Sequence, residues 1–223
     1  MGIGVVMNPR AGGGRLAAAW PEIGRALEAK VGPFELRQTS RNGEGAELAE
    51  ALARGGTSLV IAAGGDGTMS EVADGLLRAG GGAALGIIPV GTGVDFPRSC
   101  GLGDGPLAAV EAIASGRTRV IDAGRVHYIG DDGRPAVRHF INIASLGLSG
   151  HIVRAVNGSR WRGKFVFLIN TLAQLLLRRA QPVRIRIDGN EQIDARVAVV
   201  AVANGQYFGA GLKVAPDALL PDT

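Results

Sequence analysis

The sequence is poor in cysteine, in aromatic side chains and in long apolar segments, and each shortage excludes a class of protein. A single cysteine, Cys100, in 223 residues excludes an intramolecular disulfide and predicts a reducing compartment. Aromatic residues make up 4 % and do not alternate with basic ones, so we expect no nucleic-acid partner. The longest apolar stretch, 165–177, is broken by polar residues and is too short to cross a bilayer. Since the N-terminus also lacks a signal-peptide pattern, these shortages predict a cytoplasmic protein.

Metal-ligand spacing and the common catalytic motifs are also missing. The three histidines, His127, His139 and His151, stand too far apart for a zinc motif and are predicted to be structural or exposed. No G-x-x-x-x-G-K-[ST] sequence occurs, which excludes a P-loop kinase. Charge is unevenly spread, because residues 126–223 hold 12 Lys+Arg against 7 Asp+Glu. A basic half suits nucleic acid, an anionic membrane or an anionic substrate, and its sign alone does not choose among them.

The most informative segment is the sequence GGDGT at 64–68, which follows the apolar run 59–63. A buried strand, a glycine turn and a helix start in this order make a phosphate site. Thr68 and Glu71 match a T-x-x-E capping box, which predicts a helix from Thr68 to Arg78. Asp66 would repel a polyphosphate unless a divalent cation or a donor hydroxyl lay between them. The segment therefore predicts a site for a metal–nucleotide complex or for a substrate hydroxyl.

Alternation of apolar strands with helices over residues 1–120 predicts a parallel α/β sheet. From 121 to 223, long β-type runs with turn signals at 130–133 and 188–190 predict a β-sandwich-type second domain that carries a helical insertion at 150–179. The predicted strands are 3–7, 34–37, 59–63, 85–88, 120–128, 137–144, 183–188 and 195–203, and the predicted helices are 16–30, 44–54, 68–78 and 106–114.

Two further loops are expected beside GGDGT, because loops after parallel strands gather at the carboxyl edge of the sheet. One is the loop 8–15, which also contains the dinucleotide pattern Gly12-x-Gly14-x-x-Ala17. That pattern expects an acid at the end of the second strand, where Gln38 stands, so a Rossmann NAD site is disfavoured. The other is the loop 88–102, where the spacing of Asp95 and Arg98 allows a pair on one helical turn. Such a pair either grips substrate or is a surface ion pair.

The basic and apolar segment from Arg160 to Arg179 has two interpretations. It fits a core helix with solvated ends, which is the more ordinary outcome. It also fits a face that meets lipid, with basic groups at headgroup depth and apolar residues below them.

Four linked segments run in order through nearly the whole chain. They are GGDGT with Glu71, P-x-G-T-x-x-D-F-x-R-S at 89–99, R-x-F-x-N-I-A-S-x-G at 138–147 and N-G-x-Y-F-G-x-G-L-K-V-A-P-D-A at 204–218. Together they resemble the catalytic domain family of diacylglycerol kinases, specifically the bacterial soluble lipid kinases related to sphingosine kinases. NAD kinases and 6-phosphofructokinases share GGDG but not the later segments.

The resemblance implies a two-domain, ATP- and Mg²⁺-dependent kinase of lipid metabolism and phospholipid biosynthesis. It would pass the γ-phosphate of ATP to the hydroxyl of diacylglycerol or a related lipid alcohol at a membrane surface. Asp66 and Asp95 are the implied catalytic residues, and a general base is expected beyond Thr223. Asp222 and Leu219 are implied as metal-binding. The implied nucleotide contacts are Asn8, Pro9, Arg10, Ala11, Gly12, Thr39, Gly64, Gly65, Asp66, Gly67, Thr68, Glu71, Gly91 and Thr92.

The chain departs from the family pattern at Val94, where Asn is usual, and at Pro97, where Ala is usual; loss of the amide weakens a hydrogen bond near the phosphates. Family members also continue for several tens of residues beyond the A-P-D-A sequence. We therefore expect a fragment that lacks strands of its second domain and is poorly stable alone. The alternatives are a NAD kinase, or a relative that binds nucleotide or lipid without turnover, and a homodimer is left open.

Overall fold

The computed structural model describes residues 2–91, 94–102, 105–147, 180–209 and 211–221. Predictions for the insertion 150–179, for Thr92 and for Asp222 lie outside these residues. The chain divides into two compact units, one of residues 1–142 with 204–223 and one of residues 143–203. The domain boundary expected near residue 120 stays a prediction.

The first unit contains the predicted parallel sheet, which is confirmed. The elements that the structure describes are β1 (Gly2–Met7), α1 (Arg15–Val31), β2 (Glu35–Gln38), α2 (Glu44–Arg54), β3 (Thr57–Gly64), α3 (Asp66–Arg78), β4 (Ala84–Pro89), α4 (Asp95–Ser99) and α5 (Pro106–Ala114). The four strands have the order β2-β1-β3-β4, and all three pairings are parallel. Among the described residues, no helix combines the length and the hydrophobicity that a membrane span needs.

Both faces of this sheet are buried, as the apolar composition of its central strands predicts. Successive side chains of β1 point to opposite faces, so Val5 packs with residues of α1 and α5 while Val6 packs with residues of α2 and α3. Close approach of α2 and α3 depends on Gly75, because a Cβ there would lie 2.2 Å from the Ala46 carbonyl oxygen. The sheet is therefore held in place by a helix layer on each side.

Two antiparallel hairpins complete the first unit. One joins β5 (Gly124–Ile129) to β6 (Pro135–Phe140), and its turn lies at the predicted residues 130–133, where the Gly130 N–H donates to the Arg134 carbonyl at 2.8 Å. The other joins β11 (Tyr207–Phe208) to β12 (Leu212–Lys213).

The described residues of the second unit form two antiparallel pairs, β7 (Ile143–Gly147) with β10 (Val199–Ala203) and β8 (Gln181–Ile187) with β9 (Glu191–Val197). Asp188 adopts a positive φ of 51° in the predicted turn between β8 and β9. Two predicted runs, 137–144 and 195–203, are each divided between strands that pair with different partners. Between the two strands of the first run, the Asn142 carbonyl accepts from the N–H groups of Asn204 and Gly205, at 2.7 and 3.0 Å.

Candidate active site

The sheet order places a change of direction between the neighbouring strands β1 and β3. The chain moves outward from β1 to β2 on one side and from β3 to β4 on the other. In open α/β sheets, ligands bind in the crevice at the carboxyl ends of the strands at this point. The loop that contains Asn8 follows β1 and the GGDGT segment follows β3, so both predicted phosphate loops lie at that crevice.

Asn8 joins these two loops, which confirms that they are neighbours. Its backbone N–H donates to the Ala63 carbonyl at 3.0 Å, and its side-chain Nδ2 donates to Thr68 Oγ1 at 3.3 Å. The side-chain Oδ1 accepts from the Arg10 N–H at 3.0 Å, which holds the first loop in a tight turn. Both ends of the Asn8 amide are thus used to set the geometry of the crevice.

The loops approach one another closely at glycines. A Cβ on Gly64 would lie 2.5 Å from Thr68 Oγ1 of the same segment, and a Cβ on Gly91 would be in ordinary van der Waals contact with the Gly65 Cα of the neighbouring loop, at 3.6 Å. Gly12 adopts a φ of +62°, which favours glycine, and a Cβ there would lie 3.2 Å from Val90 Cγ1. The loop after β4 therefore lies beside the other two, as predicted.

Asp66 is a partly buried carboxylate that fixes the start of α4. Its Oδ2 accepts from the Asp95 N–H at 3.1 Å and its Oδ1 accepts from the Phe96 N–H at 2.9 Å. Burial raises the pKa of Asp66, since it disfavours the charged form, and the two N–H donors oppose that rise. Asp66 thus connects the loop after β3 to the loop after β4.

The predicted capping box is wrong. α3 begins at Asp66, two residues before Thr68. Its cap residue, Gly65, has no side chain that could accept hydrogen bonds from the first N–H groups of the helix. The Glu71 carboxylate instead accepts from the N–H groups of Gly43 and Gly45, at 2.8 and 3.1 Å, at the start of α2. Because α2 packs directly against α3, the first N–H groups of α2 lie within hydrogen-bonding distance of Glu71. They bind the carboxylate that a capping box would have directed to the start of α3.

The predicted pair of Asp95 and Arg98 forms within α4. Arg98 Nη1 donates to Asp95 Oδ1 at 3.3 Å, and the Asp95 side chain is 8 % exposed against 38 % for Arg98. The Arg98 guanidinium also lies 5.4 Å from the centroid of the Tyr207 ring, a contact that the sequence did not indicate. This is a half-buried pair with an aromatic neighbour rather than a free surface ion pair.

Comparison with known proteins agrees with this geometry. Residues 2–126 match the family described as the diacylglycerol kinase catalytic domain. The chain belongs to that family. Residues 142–223 match the family described as the YegS C-terminal NAD kinase beta sandwich-like domain, which confirms the predicted sandwich-type architecture of the C-terminal part.

Individual members of the diacylglycerol kinase family are moderately similar in sequence. A diacylglycerol kinase of Mycobacterium tuberculosis is 33 % identical over 95 % of this chain and 67 % of its own length. A diacylglycerol kinase of Staphylococcus haemolyticus is 30 % identical over 98 % of this chain and 64 % of its own length. A crystal structure of a diacylglycerol kinase from Bacillus anthracis superposes with a TM-score of 0.73 at 25 % identity, covering 99 % of this chain and 70 % of that one. The chain spans about two thirds of the length of these relatives.

The remaining predicted nucleotide and metal residues are only partly brought together. Thr39 follows β2 at the same edge of the sheet, and its N–H donates to the Met7 carbonyl at 2.9 Å. The Glu71 carboxylate accepts hydrogen bonds from the N–H groups at the start of α2. Leu219 is 60 % exposed and precedes the buried Leu220, whose carbonyl accepts from the Asp122 N–H at 3.0 Å. Within the described residues, no hydrogen bond or ion pair joins Leu219 to the loops around Asp66, so its role as a metal ligand stays a prediction.

A second buried carboxylate, Asp74, was missed by the sequence reasoning. Asp74 is 1 % exposed, and its Oδ1 accepts from the His139 N–H at 2.9 Å and lies 3.0 Å from His139 Nδ1. Its Oδ2 pairs with Arg78, one turn further along α3. A charge within the apolar stretch Val72–Leu76, followed by Arg at i+4, was the available signal. His139 is a hydrogen-bonded structural histidine, in agreement with its prediction.

The residues at the crevice fit magnesium and the phosphates of ATP. Backbone N–H groups at the starts of α1 and α3 suit anionic oxygens, since both cap residues are glycines. Mg²⁺ is usually held by one or two carboxylates together with the nucleotide phosphates, and Asp66 and Asp95 could supply them. In the described ranges no group of three acidic, cysteine or histidine side chains is placed to hold a metal ion.

Proposed function

We propose that the protein is an ATP-dependent lipid kinase that transfers the γ-phosphate of ATP to the hydroxyl of diacylglycerol or of a related lipid alcohol. The observation that carries the proposal is that hydrogen bonds join three loops at the carboxyl edge of the sheet. Asn8, after β1, bonds to Thr68, and Asp66, after β3, accepts from the N–H groups of Asp95 and Phe96, after β4. The names of the relatives support the acceptor class.

The proposed roles follow from the chemistry of phosphoryl transfer, which depends on positioning and charge neutralisation. The loops after β1, β3 and β4 would bind the phosphates through backbone N–H groups. Mg²⁺ would neutralise charge on the phosphate oxygens. Asp66 and Asp95 would orient this assembly, and Asp66 would also hold the start of α4. A general base would accept the proton of the lipid hydroxyl as the phosphoryl group is transferred.

A lipid acceptor implies that the protein works at a membrane surface. The excess of Lys and Arg over Asp and Glu in residues 126–223, 12 against 7, would favour an anionic bilayer. We therefore propose a peripheral association with the membrane.

The test is transfer of ³²P from γ-labelled ATP by the product of the complete open reading frame. Diacylglycerol and other lipid alcohols are presented in phosphatidylglycerol vesicles, and NAD⁺ is offered in a parallel reaction. We expect labelled lipid, and we expect Asp66→Asn to lower its rate by at least a hundredfold. Glu28→Gln removes an exposed helical carboxylate and is the matched control, with an unchanged rate expected.

Two results would contradict the proposal. Absence of labelled lipid under all conditions would exclude lipid phosphorylation, and labelling of NAD⁺ alone would assign the alternative kinase activity. A rate for Asp66→Asn near that of the unmodified protein would remove Asp66 from the site, provided that circular dichroism shows both proteins folded.

A further inference from the structure

Arg98 is held from two sides by the β11–β12 hairpin. The Tyr207 ring lies over its guanidinium, with 5.4 Å between the Cζ atom and the ring centroid. Gly211 comes close to the same group, since a Cβ there would lie 2.7 Å from Arg98 Nη1. A flexible arginine side chain with 38 % exposure would otherwise sample many rotamers. The hairpin therefore restricts Arg98 to the arrangement in which it reaches Asp95.

Tyr207 is itself fixed by its backbone. Its carbonyl accepts from Asn142 Nδ2 at 3.0 Å, and the Asn142 carbonyl accepts from the N–H groups of Asn204 and Gly205. Gly205 is required here, because a Cβ would lie 2.0 Å from Asn142 Oδ1. The backbone on which Tyr207 lies is thus hydrogen-bonded to Asn142 at three points.

A series of contacts connects this segment to the crevice. Tyr207 contacts Arg98, Arg98 donates to Asp95, and the Asp95 N–H donates to Asp66. All of these residues belong to the first unit. We propose that Tyr207 is a positioning residue for phosphoryl transfer, which holds Arg98 and through it the carboxylate of Asp95. This inference depends on the proposed kinase function.

The test compares two substitutions that differ in the aromatic face alone. Tyr207→Leu keeps apolar bulk but removes the ring, and Tyr207→Phe keeps the ring and removes the hydroxyl. We expect Tyr207→Leu to lower kcat about tenfold with KM for ATP changed less than twofold, because the positioning of a charged group is lost while nucleotide binding remains. Tyr207→Phe is expected to stay within twofold of the unmodified protein.

A double-substitution cycle separates positioning from a general effect on folding. In an Arg98→Leu background, Tyr207→Leu should lower kcat less than twofold further, since the cation that it holds is absent. A second readout needs no activity. The Arg98 Nε–Hε resonance, assigned by its loss in Arg98→Lys, should be shifted by the ring current in the unmodified protein and in Tyr207→Phe, and should move on Tyr207→Leu.

The outcomes distinguish this inference from the function on which it rests. Transfer by the unmodified protein together with an unchanged kcat in Tyr207→Leu overturns the positioning role alone. Equal losses for Tyr207→Leu with and without Arg98 also overturn it, because they indicate a contribution independent of that arginine. Absence of transfer by the unmodified protein overturns the kinase proposal and the positioning role with it.

Discussion

Two carboxylates of α3, Asp66 and Asp74, each accept hydrogen bonds from the backbone of another segment, but they differ in their charged partners. At the N-terminal end, Asp66 accepts from two backbone N–H groups of α4. In the second half of the helix, Asp74 accepts from the backbone of β6 and is paired with Arg78 and His139. Among the residues that the structure describes, no ion pair reaches Asp66.

This difference separates a structural carboxylate from one suited to a ligand. A buried charge is tolerated when cationic or hydrogen-bonding groups compensate it, and Asp74 has both. Among the described residues Asp66 has N–H donors only, and the rise in its pKa shows that burial penalises its charged form. A cation at the crevice would compensate that charge. The comparison therefore favours Asp66 over Asp74 as a residue that works with magnesium and phosphate.

The largest effect on stability is expected at the structural carboxylate. Asp74→Ala removes the acceptor for the His139 N–H and leaves Arg78 without its partner, so we expect the free energy of unfolding to fall by about 3 kcal/mol. Urea unfolding followed by circular dichroism measures this change. Glu28→Ala, at an exposed position of α1, is the control and should change stability by less than about 0.5 kcal/mol. Equal effects in the two variants would show that Asp74 is not a structural contact.

A smaller change in the free energy of unfolding is expected when alanine replaces a helical glycine. We expect alanine to destabilise the protein at Gly75 of α3 and to stabilise it at Gly24 of α1. Gly75→Ala places a Cβ 2.2 Å from the Ala46 carbonyl oxygen, which should separate α2 from α3 and cost about 2 kcal/mol. In Gly24→Ala the nearest atom is Trp20 Nε1 at 3.4 Å, so the higher helix propensity of alanine should add about 0.5–1 kcal/mol. The same unfolding measurement checks both.

If Gly75→Ala were as stable as Gly24→Ala, the close contact of α2 with α3 at Gly75 would be contradicted. Since that contact also brings Glu71 to the start of α2, the same result would contradict the explanation that the N–H groups of α2 draw Glu71 away from a capping box.

Local patterns predicted most of the first unit and the proximity of the loops at its crevice. The bounds of α2 and α5 are those predicted from sequence, and the neighbouring loops followed from the carboxyl-edge rule. Long-range partners were not predictable in this way. The T-x-x-E pattern predicted a local capping box, but the Glu71 carboxylate accepts from the N–H groups of Gly43 and Gly45, which are distant in sequence.

The same limitation explains the missed residues. Nothing within a few positions of Asp74 indicates that β6 would supply His139 as its partner, 65 positions later. Tyr207 likewise meets Arg98 only after the chain has passed through the whole second unit and returned. Both contacts join segments whose proximity is decided by tertiary packing, for which hydrophobic periodicity and turn chemistry carry no information.

The smallest effect on stability is expected at Asp66, where the charged form is already disfavoured. In Asp66→Asn the side-chain oxygen can accept one of the two N–H groups, so the loss should stay below about 1 kcal/mol in magnesium-free buffer. Because the pKa of Asp66 is raised on folding, the stability of the unmodified protein falls as pH increases from the ordinary aspartate value of about 3.9 through the folded value. The asparagine variant lacks this dependence, so its deficit should shrink between pH 4 and pH 7. A deficit that instead grew with pH would show that ionised Asp66 stabilises the apo fold, and the contrast drawn between Asp66 and Asp74 would disappear.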